Sequence, residues 1–433
     1  MRAASSNQPD AVIIGAGVIG CSIALALARE GRAVTCIDAL PAPGYGSTSH
    51  SSAIVRPFYS HVTSCAIAHE ARFRWLEWQK FLGGEDPSGY ARYTESGGLV
   101  LVAEGAQDDY RANLDILDAV GVEYQLLDAS GVSRLYPGVC LDCFGPPRRM
   151  EDSGFAKPNG RRLAGGIYIP AAGYVSDPQL AAHNLYSAAM AVGARFQFMA
   201  QVSEVRRDGE RVAGVTLASG EQLSTPVVIN AAGPHSFVIN RLAGIDEAIT
   251  TRPHRHEVAY LKAPPGYVEN GNGFVVDADS GTYQRADGAD ILIGSADPAC
   301  DPRDIIDPDE FDSGFTQQWM QQVYRAAQRF PALGIENRAR GTVGLYDVSE
   351  DWIPLYDRTE VEGFYLAIGT SGNQFKNAPL VGELMAAVIA ACENGRDHDL
   401  HPAKLALARV GRTVDLSFYS RNREIQKTRS VMA

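Results

Sequence analysis

The stretch Asp10-Ala-Val-Ile-Ile-Gly-Ala-Gly-Val-Ile-Gly20, continued by Cys21-Ser-Ile-Ala-Leu-Ala-Leu-Ala-Arg-Glu-Gly31 and then by Ala33-Val-Thr-Cys-Ile-Asp38, decides the fold. Ala11 to Ile14 is an apolar run of strand length. It enters Gly15-x-Gly17-x-x-Gly20, a helix of small residues follows, and a second apolar run ends on an acid. Gly15 permits a tight turn, Gly17 lets a pyrophosphate approach the backbone, and Gly20 lets helix and strand pack closely. The helix opens at Val18 and Ile19, where its first N–H groups and the positive end of its dipole face the phosphates. Asp38 stands where a carboxylate accepts hydrogen bonds from the 2′- and 3′-hydroxyls of a ribose, which disfavours a 2′-phosphate. Strand, turn, helix, strand and acid in this order predict a dinucleotide site.

A chain of 433 residues exceeds a single core, so two domains are expected. Hydrophobic residues at 45% and charged residues at 21% describe an ordinary soluble globular protein. The net charge of −12 argues against nucleic acid and against an anionic membrane surface as partners. No run reaches the ~20 apolar residues that cross a bilayer; the longest, Leu384 to Cys392, reads as a packed helix. Residues 1–9 are polar with a single Arg, so no signal peptide is expected. Seven cysteines, an odd number scattered along the chain, fit reduced thiols and a cytoplasmic location. Cys140-Leu-Asp-Cys143 has no second pair and no nearby histidine; it reads as a loop, and no metal site is expected.

Helical patterning covers Ala66 to Leu82, Asp108 to Val120, Pro178 to Val192, Phe311 to Phe330 and Ala378 to Glu393. Strand-like runs are Gly98–Val102, Gly166–Ile169, Phe196–Val205, Val212–Leu217, Val227–Asn230, Glu257–Lys262, Gly273–Val276, Ile291–Ile293 and Phe364–Ala367. Parallel-sheet material thus returns at about 178–233 and 363–393, with antiparallel-looking strands between. The fold class is α/β (α+β overall): a discontinuous Rossmann-like domain in pieces 8–95, 176–236 and 339–425, with a β-rich substrate domain inserted as 96–175 and 237–338. Such an arrangement opens a ligand crevice between the domains, at the carboxyl ends of the parallel strands. Val227-Val-Ile-Asn-Ala-Ala-Gly-Pro234 is a buried strand ending in a small-residue turn. Gly369-Thr-Ser-Gly-Asn-Gln-Phe-Lys-Asn-Ala-Pro379 leads into a helix whose first turn suits Pro379.

Five landmarks in this order resemble one family across nearly the whole chain: the FAD-dependent amine and amino-acid oxidoreductases of the D-amino-acid oxidase, glycine oxidase and sarcosine oxidase superfamily. They are the N-terminal fingerprint with Asp38, Gly46-Ser-Thr-Ser-His-Ser-Ser-Ala-Ile-Val-Arg56, Gly173-Tyr-Val-Ser-Asp-Pro178, Val227–Pro234 and Gly369–Pro379. The resemblance implies FAD as cofactor. Beyond the fingerprint, its contacts would come from Ser47, Thr48, His50, Ser51 and Ser52, from Val202, and from Ala231 and Gly233. On the flavin side they would come from Gly369, Ser371, Gly372, Asn373, Gln374, Phe375 and Lys376. Donors and a helix N-terminus there would stabilise the negative charge of the reduced ring.

In sarcosine-oxidase-like members the positions of Arg56 and Lys376 hold the substrate carboxylate, and Tyr59 and Tyr283 match aromatic positions of the site. A planar guanidinium fork and a point charge would together orient an amino acid. Arg252, His254, Arg255 and His256 form a basic cluster that reads first as structural or solvated; Arg255 is carried forward as the candidate to meet a second substrate carboxylate. The implied reaction is oxidation of the C–N bond of a small secondary amino acid, an N-substituted glycine such as iminodiacetate or sarcosine. D-amino acids, proline-type amines, 2-hydroxy acids or glycerol 3-phosphate, and a flavin-binding subunit without turnover are the alternatives. Departures from the pattern matter. A flavin-linked cysteine would fall near Gly344, an oxygen-activating lysine at Leu292, and an active-site histidine near Ala296. His50 sits where dimethylglycine and sarcosine dehydrogenases carry a flavin-linked histidine. The matched motifs supply no general base. Oxygen is the expected electron acceptor, and a homo-oligomer stays open.

Overall fold

The computed structural model describes residues 8–268 and 273–426, so most of the polar N-terminal stretch 1–9 lies outside the described residues. A six-stranded sheet forms the first layer, in the order Leu355–Arg358, Phe364–Ile368, Val228–Asn230, Ala11–Ile14, Val34–Ile37, Arg195–Gln197. Every neighbouring pair is parallel except the first, which is antiparallel. Both faces are covered, which explains why these strands read as continuous apolar runs.

The helix Val18–Arg29 packs between Pro178–Ala191 and Ala378–Glu393. Its small residues permit close approach: the Ser22 hydroxyl donates to the Ala378 carbonyl and accepts from the Gly382 N–H. The segment Phe375–Glu393 is long and apolar enough to cross a membrane by length and composition alone, but 72% of its apolar window is buried in this core.

An eight-stranded sheet forms the second layer. Its order is Gly341–Ser349, Thr251–Lys262, Asp290–Ser295, Thr282–Asp287, Phe274–Asp277, Gly98–Ala103, Leu163–Ile169, Gln125–Asp128. One pairing in it, Phe274–Asp277 with Gly98–Ala103, is parallel. The helix Gln317–Arg329 lies across one face and seats Trp319, Val323 and Ala326 in a core with Leu99, Leu261 and Ile293. A small sheet of Ile54–Val55, Gly173–Val175 and Tyr93–Thr94 leads the chain towards Arg56.

The elements depart from expectation at four places. The helix expected over 66–82 is two, Val62–Leu76 and Trp78–Leu82, broken at Glu77. The helix expected from Phe311 starts at Gln317, because the Thr316 side chain caps it by accepting from the Gln318 N–H. The strand expected over 196–205 splits: Arg195–Gln197 joins the parallel sheet, and Val202–Asp208 starts a separate antiparallel meander with Arg211–Leu217 and Gln222–Ser224. Between the pieces Met199 adopts φ +55°, which no strand allows. Finally, Gly341–Ser349, placed by the sequence with the Rossmann-like pieces, is the edge strand of the eight-stranded sheet.

Candidate active site

The glycine turn is built by close packing. Gly15 has φ +108°, and a Cβ there would stand 2.3 Å from the Ala231 carbonyl oxygen. This contact locks the first turn to the Ala231–Gly233 turn beside it. A Cβ on Gly17, in contrast, would meet only the Thr48 hydroxyl, at 3.3 Å. That hydroxyl accepts from the Val18 N–H at 3.1 Å, and Gly17 offers the helix no side-chain cap. The open backbone at Gly17 leaves room for a pyrophosphate to approach the helix start.

Asp38 is engaged by the backbone on both sides. Its Oδ2 accepts from the Ala16 N–H at 2.6 Å and its Oδ1 from the Leu40 N–H at 2.8 Å, so the carboxylate also fastens the glycine turn. Val202 turns its side chain into the core beneath, with Val12, Ile14 and Ile37. Its segment reaches Asp38 through the backbone, the Ala200 N–H donating to the Asp38 carbonyl.

The run Gly46–Arg56 threads between the two layers. Ser47 donates to the Leu345 carbonyl at 2.6 Å, and Ser52 shares a hydrogen bond with the Tyr283 hydroxyl at 3.0 Å. Arg285 fixes the Ser52 carbonyl through Nε at 2.7 Å. His50 has its Nδ1 at 3.2 Å from both the Ser49 hydroxyl and the Gly46 carbonyl.

Beyond the strand Phe364–Ile368 the chain makes a tight turn in which Gly369, Ser371 and Gly372 all have positive φ, at +69°, +48° and +66°. Buried Asp347 holds this turn. It accepts from the Gly369 N–H at 2.6 Å and from the Ser236 hydroxyl at 3.0 Å, joining the ends of two parallel strands to the second sheet. Burial pushes its carboxyl up to about 7, against the lowering effect of the donors Gly369, Ser236, Thr370 and Thr251. On the far side, the Trp75 indole donates to the Lys376 carbonyl at 2.7 Å and stacks on Phe375.

These segments meet around a cleft between the two sheets. Ser51, Ser52, Arg56, Tyr283, Ser371, Gly372, Asn373, Phe375 and Lys376 of the sequence-derived set line it. Tyr59 stands behind the wall and organises the two cations. Its hydroxyl accepts from Lys376 Nζ at 2.8 Å, and its ring lies 4.9 Å from the Arg56 guanidinium carbon. Lys376 also donates to the Asn373 carbonyl, and Arg56 to that of Phe58. Burial, and then the charge of Arg56, push the Lys376 ammonium well below the usual lysine range.

The fingerprint glycines, Val18, Ile19, Asp38, Ala231 and Gly233 lie outside this cleft, as the far end of an elongated ligand would need. His50, Ser47, Thr48, Gly369 and Gln374 sit between or behind. Gln374 is buried, accepting from the Tyr356 hydroxyl at 3.2 Å.

Arg255 does not belong to the site. It pairs with Glu257 at 2.5 Å and donates to the carbonyls of Asp312 and Gly314, away from the cleft. Strand alternation is the reason: neighbouring Cβ atoms point to opposite faces, so its neighbour His256 lines the cleft instead. Leu292 is buried and not part of the wall, whereas Ala296 is. Asp297, Tyr346 and Trp352 also line the cleft and were not singled out by sequence. Trp352 at φ +63° is an outlier for a bulky residue, a strain that only the fold reveals.

Residues 10–388 match the model of the FAD dependent oxidoreductase (DAO) family. The chain belongs to that family. FAD is accordingly its cofactor. The human mitochondrial sarcosine dehydrogenase is 25% identical over 377 residues, covering 84% of this chain, which spans only 38% of that protein's length. Glycine oxidase of Geobacillus kaustophilus is 24% identical, with 94% of this chain and 99% of that protein covered. A crystal structure of glycine oxidase from that species superposes with a TM-score of 0.74 at 21% identity, covering 97% of this chain and 100% of that one. The L-proline dehydrogenase of P. horikoshii gives 0.75 at 21% identity, covering 97% and 98%.

Proposed function

We propose that the protein oxidises the C–N bond of a small secondary amino acid, an N-substituted glycine such as sarcosine or iminodiacetate. One observation carries this reading: the basic side chains of Arg56 and Lys376 are buried together at the cleft, and among the described residues Lys376 donates to the Tyr59 hydroxyl and the Asn373 carbonyl and to no carboxylate. Two cations held together in low dielectric destabilise each other. An anion between them restores the lysine charge, and a planar carboxylate matches the guanidinium fork.

The cofactor fits the residues present. The open cradle at Gly17, the helix start that follows it and the carboxylate of Asp38 would hold the dinucleotide end, and the turn Gly369–Gly372 with the Phe375–Asn377 turn would face the ring. When bound, the flavin accepts a hydride equivalent from the carbon attached to nitrogen. The protein's part is to fix the carboxylate on Arg56 and Lys376, to keep bulk water out with Tyr283, Tyr346 and Trp352, and to offer the amine its neutral form. The product imine takes up water to give an amine plus glyoxylate or an aldehyde. Relatives named as sarcosine dehydrogenase and glycine oxidase support this substrate class. Oxygen is proposed as electron acceptor.

Anaerobic bleaching of the FAD-loaded protein by a panel of N-substituted glycines, D-amino acids, proline and 2-hydroxy acids tests the reading. Bleaching by N-substituted glycines, followed by fast recovery of colour in air, is expected. Bleaching by hydroxy acids alone contradicts the substrate class, and recovery much slower than turnover with an artificial dye contradicts the acceptor.

A further inference from the structure

The cleft that holds the two cations also carries a histidine facing an acid. His256 projects from Thr251–Lys262, its ring stacked on Tyr346 with centroids 4.1 Å apart and planes at 23°. Its Nε2 faces Asp297 Oδ1 at 3.7 Å. Asp297 is itself firmly placed. It adopts φ +58°, and its N–H donates to the Ser295 hydroxyl at 3.1 Å. That hydroxyl donates to Asp301, which Arg325 clamps with two hydrogen bonds of 2.7 and 2.8 Å. Backbone strain of this kind persists only where the surroundings impose it.

We propose that His256, oriented by Asp297 and Tyr346, is the general base that takes the proton from the substrate ammonium. The inference rests on the amine-oxidation reading above. An ammonium has no lone pair with which to expel hydride, so one N–H bond must break first. That proton goes to His256 Nδ1, since Nε2 faces the carboxylate. The electron pair left on nitrogen can then form the C=N bond as the neighbouring carbon gives up its hydride equivalent, for which bound FAD would be the acceptor.

A histidine with one ring nitrogen facing a carboxylate and the other left to take a proton is an arrangement suited to such transfer. Asp297 orients and does not itself accept. Burial pushes its carboxyl up, but His256 and then the charges of Arg303 and His254 more than reverse this, leaving a weaker base than an ordinary carboxylate. Lys376 serves the carboxylate end instead. The other charged and titratable groups near His256 are His254 on its own strand, Arg303 on the loop beyond Asp297, Tyr346 and Tyr283 from neighbouring strands, and Arg56 and Lys376, which line the same cleft.

The test compares the holoenzyme with its His256→Asn and Asp297→Asn variants in anaerobic flavin reduction by saturating sarcosine, from neutral to alkaline pH. His256→Asn should be slower by ~10²-fold or more at neutral pH, the scale of a lost general base. It should converge on the wild-type rate where the amine is neutral in solution, and added imidazole should restore part of the loss. Asp297→Asn should show a smaller fall with the same pH dependence. A second readout needs no turnover: ¹⁵N-histidine spectra with 2-aminoisobutyrate, which has no hydrogen on its α-carbon. The imidazole signals absent from His256→Asn should move to imidazolium positions on binding. Equal reduction rates in wild type and both variants at every pH, or imidazole signals that do not move, overturn the role of His256 while leaving amine oxidation intact. No reduction of the wild type by any carboxylated amine overturns the underlying reading instead. Should His256→Asn lose FAD, the Asp297→Asn profile and the wild-type spectra decide the matter.

Discussion

Gly344 lies directly beneath His50: a Cβ on Gly344 would stand 2.6 Å from the His50 Cβ. The strand Gly341–Ser349 and the run Gly46–Arg56 therefore approach each other only because residue 344 has no side chain. The next residue, Leu345, receives the Ser47 hydrogen bond, so the contact sets the depth at which the whole run sits. Gly344→Ala should push His50 away, cost about 1–3 kcal/mol as overpacking does, and weaken FAD binding. Thermal unfolding and FAD titration check this; wild-type values in both would show that the approach is not tight in solution.

Asp38 fastens the glycine turn, and in the proposed FAD site it would also face the ribose. Asp38→Ala should weaken FAD binding by roughly 1–3 kcal/mol, the scale of losing hydrogen bonds to a charged partner. The apoprotein should lose stability as well, because the Ala16 and Leu40 N–H groups lose their acceptor. Equilibrium dialysis against FAD, with urea unfolding of the apoprotein, separates the two effects.

Arg255→Ala should leave substrate affinity unchanged and destabilise the fold. Its partner Glu257 is buried and would keep only the hydrogen bonds from the Thr316 N–H and hydroxyl. Breaking a buried pair by removing one charge costs about 3–5 kcal/mol. A rise in the substrate dissociation constant without loss of stability would return Arg255 to the site.

Asp347 should make stability fall as pH rises. With its carboxyl raised to about 7 from an ordinary 3.8, the folded protein binds more protons than the unfolded chain between those values. Its contribution is therefore fully present at acid pH and is lost as pH rises through that window. Asp347→Asn should flatten this slope while keeping an acceptor for the Gly369 N–H. Urea midpoints measured at a series of pH values read the difference; parallel slopes would remove Asp347 from the explanation.

Much of the first layer was legible because its signals are local. Glycine spacing, an apolar run and a terminal acid lie within one stretch, and each parallel strand is buried on both faces. The cleft was legible only where a motif carried the residue, as with Arg56, Tyr283 and Lys376. His256 stood in a basic cluster beside Arg255, and only the phase of the strand, fixed by pairing with residues more than 80 positions away such as Gly344, decides which of the two faces the cleft. Asp297 and Trp352 depend on positive φ angles imposed by the fold, and Asp347 on partners in two other elements. None of these leaves a trace in local composition.

The most direct test of the central claim is the reductive half-reaction of Arg56→Met and Lys376→Met with an N-substituted glycine, followed by stopped flow. Concentration dependence gives substrate affinity and limiting reduction rate separately. Loss of a hydrogen bond to a charged group is worth about 1.5–3 kcal/mol, so each variant should bind the substrate ~10- to 100-fold more weakly, with a smaller change in limiting rate. Each should also lose most of its preference for the free carboxylate over the corresponding amide. If both variants keep wild-type affinity for every carboxylated substrate, Arg56 and Lys376 are not the carboxylate anchor.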